Sequence, residues 1–277
     1  MEKDEIEQAV DKPLRRNKSS VPSVEKAFDV IELLADQPNG LTMNEIIDRL
    51  DRTMGEVYRI VIYLCERGYL EQDVGTNRYG LTLRLFELSH RYEPTERLLV
   101  RAVPMLERIA ALTDQSCHLG ILNRTNVLIL ASVKSPRPAG YSVRTGSMFP
   151  VQQTSTGSII LAFSEEPVQK RFLARLQAPD REEAATRFAQ IASRGYEDRP
   201  SQMVDGIRNL SAPVFDSRGI VAAITSGYIA QPNQLVSAEE ALSKIRTTAL
   251  ELSRDLGFDV ERSPYREALS SEPASNI

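Results

Sequence analysis

Four arginines, Arg49, Arg52, Arg59 and Arg78, crowd into one short stretch of a chain whose net charge is −4. Arginine grips phosphates and guanine edges through paired N–H donors. Met54, Gly55, Tyr58 and Arg59 share one helical phase, and Thr53 opens the same run. Such a face suits base edges. Glu56 has two readings: it accepts from a cytosine amino group, or it closes a capping box with Thr53. Catalytic chemistry finds little footing. The chain has two histidines and two cysteines. His118 adjoins Cys117 on a strand-like run, and alternation sends the two side chains to opposite faces. A nucleophile–base pair or a shared metal is poorly set up there, so His118 is expected to be structural. Cys65 and Cys117 read as small buried hydrophobes in a reduced compartment. There is no phosphate loop, dinucleotide glycine pattern or metal-ligand spacing. No catalytic residue, metal or cofactor is expected.

The arginines need elements to hold them. Ser23 precedes an apolar-periodic run, Val24, Ala27, Phe28, Ile31, Leu34 and Ala35, which Pro38-Asn39-Gly40 stops. Thr42 with Glu45 is a capping box that opens a short helix through Ile46, Ile47 and Leu50. Thr53 with Glu56 repeats the box and opens a third helix, with Val57, Ile60, Val61 and Leu64 inward. Gly68–Gln72 and Arg78–Leu81 flank the turn Val74-Gly75-Thr76-Asn77 and read as a hairpin. Three helices and a hairpin make a winged helix-turn-helix. Its third helix fits a major groove, and Arg78 is expected to hold the wing to phosphate.

Charge sets a condition on that reading. Residues 1–92 hold 13 Lys+Arg against 17 Asp+Glu. A nucleic-acid binder usually shows a broad basic footprint; here it must be local, namely the four arginines and a basic arm of Lys12, Arg15, Arg16 and Lys18. Pairing of two chains doubles it.

The 277 residues favour two domains. Residues 1–20 and 258–277 are polar and expected to be disordered. Residues 21–82 form the winged module, and 83–94 a linker helix with Leu83, Leu85, Phe86 and Leu88. The second domain spans 95–257. It begins with a long helix to Thr113 that Pro104 is expected to kink. Strands follow at 117–122 and 127–133 around Asn123-Arg124-Thr125-Asn126, and a third at Tyr141–Thr145. Thr154-Ser155-Thr156-Gly157-Ser158 leads into a short helix. Helices near 166–175 and 182–194, a strand pair around Asp216-Ser217-Arg218-Gly219, and a last helix from Ser237 to Leu256 complete an α+β fold. The N-terminus carries no apolar stretch of signal-peptide type, and no run approaches a membrane span. A cytoplasmic protein without membrane contact is expected.

Several of these segments, in order, resemble the isocitrate-lyase-regulator (IclR) family of bacterial transcription factors. They are Ser23–Ile31, Val57-Tyr58-Arg59, Arg67-Gly68-Tyr69-Leu70, His118-Leu119, Pro150–Gly157, Arg194-Gly195-Tyr196, and Ala212–Asp216 with Val221-Ala222-Ala223. The resemblance covers roughly residues 21–257. The stretch Asp51-Arg52-Thr53-Met54-Gly55-Glu56 departs from the family's usual Gly and Pro-Lys-Ser-Thr pattern, so the base sequence read is not expected to follow from relatives.

The resemblance implies a GAF-like sensor as second domain, dimers or tetramers, and a small acidic effector against Thr154–Ser158. A helix start with free N–H groups and hydroxyls suits an anion. It further implies Ile207, Asn209, Thr225 and Gly227 across the cavity. An acidic family pocket position falls at or beside Arg199, which is then either a carboxylate clamp or a solvent-facing residue. Met148 and Phe149 are an apolar wall or plain core. The implied partners are double-stranded operator DNA, a small organic or aromatic carboxylate, and further copies of the chain. Coupling is expected through Leu83–Thr113, and a catabolic operon as target. The alternative is a GAF-like enzyme or signalling module whose winged helix docks protein.

Overall fold

The computed structural model describes residues 21–90 and 93–270, in two compact units that divide at Glu96. The expected tail 1–20, with its basic arm, and residues 271–277 lie outside the described residues, as does Tyr92 at the end of the linker.

In the first unit α1 is Pro22–Ala35, β1 Leu41–Thr42, α2 Met43–Leu50, α3 Met54–Glu66, β2 Leu70–Gln72, β3 Arg78–Leu81 and α4 Arg84–His90. The helix α1 begins one residue before Ser23, because Pro22 at its first position already has helical φ and needs no N–H partner. Its buried residues are Val30 and Leu34, while Val24 and Phe28 face outward. The core adds Leu41, Ile46, Val57, Val61, Leu64, Leu70 and Tyr79. Both capping boxes form as read. Glu45 accepts from the Thr42 N–H at 2.8 Å, and Glu56 from the Thr53 N–H at 3.1 Å. The short β1, unseen in the sequence, pairs with β3 and closes a three-stranded sheet in the order β1-β3-β2.

The second unit opens on α5, Glu93–Thr113, which runs on through Pro104 as one helix. Then come β4 Cys117–Asn123, β5 Asn126–Val133, β6 Met148–Pro150, α6 Ser155–Ala162, α7 Glu166–Leu173, α8 Ala178–Arg194, β7 Glu197–Pro200, β8 Arg208–Asp216, β9 Gly219–Tyr228, α9 Ala238–Asp255 and α10 Arg266–Ser270. Six antiparallel strands form one sheet in the order β6-β5-β4-β9-β8-β7. One face packs against α5 and α9 through Leu106, Ile109, Leu119, Leu210, Ile224, Leu242 and Ile245. The other packs against α6 and α8 through Val127, Ile129, Ile159, Phe188 and Phe215.

Two expectations are corrected. Tyr141–Thr145 is coil, and the edge strand is Met148–Pro150, paired with β5. The tail from Phe258 to Ser270 is ordered: Phe258 stacks on Phe215 at 4.5 Å, Tyr265 meets Phe163 edge-on at 4.8 Å, and Val260 and Ala268 are buried. Its few apolar residues are spaced to cover the exposed end of the second core, which composition alone does not reveal.

Candidate functional site

The first candidate surface is the outer face of α3. Val57, Val61 and Leu64 fix its inner face, so Met54, Gly55, Tyr58 and Arg59 are left exposed along the other side. Arg49 is exposed at the end of α2 and Thr53 at the start of α3. Tyr63 and Arg67 extend this face: the guanidinium donates to the phenol oxygen at 2.8 Å. Neither was expected among the DNA-facing residues; Arg67 entered only as part of the Arg67-Gly68-Tyr69-Leu70 segment before the hairpin.

Two of the four arginines have other partners. Arg52 is paired with Asp29 of α1 at 2.7 Å. Arg78 donates to the Gly40 carbonyl at 2.9 Å and to both Glu45 oxygens, at 3.0 and 3.3 Å. The expectation that Arg78 reaches out to phosphate is therefore corrected. Its charge is folded back against the capping carboxylate of α2, clamping β3 to β1 and α2. Glu56 likewise takes its structural reading. Bonds from Lys26 at 2.8 Å and from Thr53 hold its carboxyl down to about 2, so it is ionised near pH 7.

The second candidate is a cavity of about 450 Å³, counted with its open mouth, on the α6 face of the large sheet. The floor is His118, Ile129, Asn209, Thr225 and Gly227; one wall is Gln153–Thr156; Tyr141, Val143, Phe149, Ser201 and Met203 close the rest. Thr154 caps α6 by accepting from the Gly157 N–H at 3.0 Å. A Cβ on Gly157 would sit 2.6 Å from the Val151 carbonyl, so only glycine permits this tight entry. Ser155 and Thr156 stand at the first two positions of this helix, where a backbone N–H has no acceptor within the helix itself. The Ser155 hydroxyl is buried and unpartnered among the described residues.

Thr156, Thr225 and Ser211 form a hydroxyl chain, 2.8 and 2.9 Å apart, and the His118 Nε2 lies 3.2 Å from the Thr156 Oγ1. Burial pushes the imidazole down to about 4, so His118 is neutral near pH 7. Cys117 points to the opposite core, its Sγ 3.2 Å from the Leu106 carbonyl, and burial pushes its thiol up to about 12. His118, Tyr141, Gln153, Ser201 and Met203 were not anticipated as cavity residues. His118 sits there because β4 pairs with β9 in a register that sets it against Thr225.

Of the expected effector residues, Phe149, Thr154, Ser155, Thr156, Asn209, Thr225 and Gly227 come together. Ile207 is buried just behind, where a Cβ on Gly227 would meet it at 3.3 Å. Met148 does not belong: it is half exposed, because alternation along β6 turns it away from Phe149. Arg199 lies on β7 opposite Asn209, on the cavity's face of the sheet, yet it does not line the cavity. Burial and the neighbouring Arg187 lower its pKa. The adjacent Asp198 is paired with Arg208 at 2.6 Å.

Residues 92–254 match the family described as bacterial transcriptional regulator IclR C-terminal, and residues 23–74 match the IclR helix-turn-helix domain. The chain belongs to the IclR family of transcription regulators. It is 27% identical over 256 residues to the HTH-type transcriptional regulator BhcR of Paracoccus denitrificans, covering 90% of each chain. It is 28% identical to the glycerol operon regulatory protein of Streptomyces coelicolor, over 86% of this chain and 97% of that one. Among solved structures, an IclR homolog complexed with 4-hydroxybenzoate from Microbacterium hydrocarbonoxydans superposes with a TM-score of 0.72 at 21% identity, over 84% of this chain and 98% of that one. These curated relatives are named as regulators of transcription or of an operon. The two candidate surfaces fall one in each matched IclR segment. Among the described residues no helix is long and apolar enough to cross a membrane.

Proposed function

We propose that this IclR-family regulator reads operator DNA with the outer face of α3 and senses a small organic acid, aromatic acids included, in the cavity beside α6. The observation that carries the effector reading is the buried, unpartnered Ser155 hydroxyl at one wall, beside the Ser155 and Thr156 N–H groups of the helix start. Burying donors without acceptors is costly. A carboxylate at a helix start satisfies them and gains from the helix dipole. The walls beyond are apolar, Val127, Ile129, Phe149 and Tyr141, which suits a planar or short hydrocarbon body. The relative in complex with 4-hydroxybenzoate supports the same ligand class.

The DNA reading rests on the exposed Met54, Gly55, Tyr58 and Arg59, with Arg49 and Thr53 at the margins. Arg52 supports that surface from behind. Two copies of the chain double the footprint, and ligand shifts DNA affinity only by binding two arrangements of the oligomer unequally. A catabolic operon is the target this reading favours.

A thermal-shift screen of organic and aromatic acids on the full chain tests the effector. At a hundredfold excess over its Kd a true effector adds about 2.7 kcal/mol. A hit that persists unchanged in Ser155→Leu moves the pocket elsewhere, and a screen with only neutral hits removes the anion argument. An electrophoretic shift with the DNA upstream of the chain's own gene tests the operator reading.

A further inference from the structure

A second cavity lies at the other end of α6 and shares no lining residue with the first. It measures about 560 Å³ with its mouth. Its floor is apolar: Leu122 from β4, Leu161 from α6, and Val168 and Phe172 from α7. Its remaining lining is three arginines. Arg171 and Arg175 come from the end of α7 and just past it; Arg124 comes from the β4–β5 turn. All three are exposed, and none of the three guanidinium groups has a hydrogen-bond or ion-pair partner among the described residues. The other cation on α7, Lys170, is already paired with Glu166 at 2.6 Å.

Arginines at a helix C-terminus complement the helix dipole. That accounts for Arg171 and Arg175 but not for Arg124, which a different element brings to the same opening. Arg124 is held there by a left-handed backbone, φ 59°, in the tight turn. Three like charges around one cleft repel each other unless an anion joins them. In a chain of net charge −4 this is a local concentration of positive charge. One guanidinium fork matches one carboxylate; three around an apolar floor match a head group with at least two negative charges on a hydrocarbon body.

We propose that this cleft is a second ligand site, for a small dianion with an apolar body, of the kind a phosphate monoester of an aromatic or aliphatic alcohol provides. The site is independent of the carboxylate cavity: the latter offers neutral hydroxyls and amides, the former fixed positive charge. A ligand here touches the far end of the helix whose start holds the first site.

Phenyl phosphate is the probe, titrated calorimetrically into the full chain, with inorganic phosphate and phenol as comparison arms. Phenyl phosphate is expected to bind in the submillimolar to millimolar range, more tightly than either arm, and to weaken as salt is raised. The surface variant Arg171→Gln/Arg175→Gln is expected to melt like the wild type and to lose at least tenfold in affinity, with Arg124→Gln losing less. Ser155→Leu, which fills the other cavity, is expected to bind the probe unchanged. No binding at millimolar phenyl phosphate overturns the proposal, as does binding that survives the double arginine variant. Binding lost in Ser155→Leu assigns the probe to the first cavity instead. Inorganic phosphate binding as tightly as phenyl phosphate removes the apolar floor from the site and overturns the ligand class.

Discussion

Ser155 carries a polar group that the fold leaves unsatisfied among the described residues. Its hydroxyl is buried without a partner at the wall of the first cavity. Ser155→Ala removes an unpaired polar group, so the ligand-free protein should melt at the same temperature or slightly higher. Affinity for a carboxylate should fall about tenfold or more, since a hydrogen bond to a charged group is worth roughly 1.5–3 kcal/mol. Equal losses in both measurements would mean that Ser155 serves packing alone. His118 makes a separate prediction. Its folded pKa, about 4, lies below the ordinary 6.5. The unfolded chain therefore takes up the proton first as pH falls. The stability tied to a neutral His118 is whole above about pH 6.5 and is lost as pH drops towards 4, by about 3 kcal/mol at most. His118→Gln should flatten that part of the pH–stability curve relative to wild type. Parallel curves from pH 7 to 4 would refute the buried neutral imidazole.

At the scale of elements, the winged module assigns its arginines to different tasks. Arg59 is exposed on the outer face of α3, whereas Arg78 ties β3 to Gly40 and Glu45. Arg59→Ala should cost operator binding roughly 1–3 kcal/mol and leave melting unchanged. Arg78→Ala should instead destabilise the first unit by about 1 kcal/mol, as expected for a half-exposed pair with an added backbone bond. Any loss of DNA affinity should then recover at lower temperature. Operator titration and thermal melting of both variants separate the two roles. If Arg78→Ala weakens DNA binding with no change in melting, the wing contacts phosphate after all.

At the scale of the whole molecule, the stretch from Phe258 to Ala268 is part of the second unit's core. Phe258 and Tyr265 cover Phe215 and Phe163, Val260 is buried, and the Ala268 carbonyl accepts from Arg246 at 3.0 Å. Arg246 is 8% exposed and stacks on Tyr196 at 4.8 Å. Truncation after Gly257 uncovers aromatic surface and leaves a buried guanidinium one acceptor short. It should cost about 3 kcal/mol or more, read as a lower melting temperature of the full chain lacking only that tail. An unchanged melt would show the packing to be incidental. Assembly belongs to this scale too. Leu85, Phe86 and Leu88 are substantially exposed on α4. Sedimentation at micromolar concentration should find a dimer or tetramer, and a monomer there would remove the pairing from the proposed mechanism.

Much of this protein was legible in its residues because the deciding contacts are short in sequence. The capping boxes of α2 and α3 join residues three apart, and the hairpin turns and strand alternations are equally local. Those signals suffice for a winged helix-turn-helix and for an α+β second domain. The hydroxyl-rich start of α6 was readable for the same reason. What a charged or polar side chain does was not, because its partner comes from far away. Arg52 meets Asp29 across 23 residues, Arg78 meets Glu45 across 33, and His118 meets Thr156 across 38. Only tertiary packing decides whether an arginine is spent on a neighbour or left free for an anion. It turned Arg52 and Arg78 inward and left Arg59 exposed. It also gathered Arg124 with Arg171 and Arg175 at one cleft, from two elements that sequence alone does not relate.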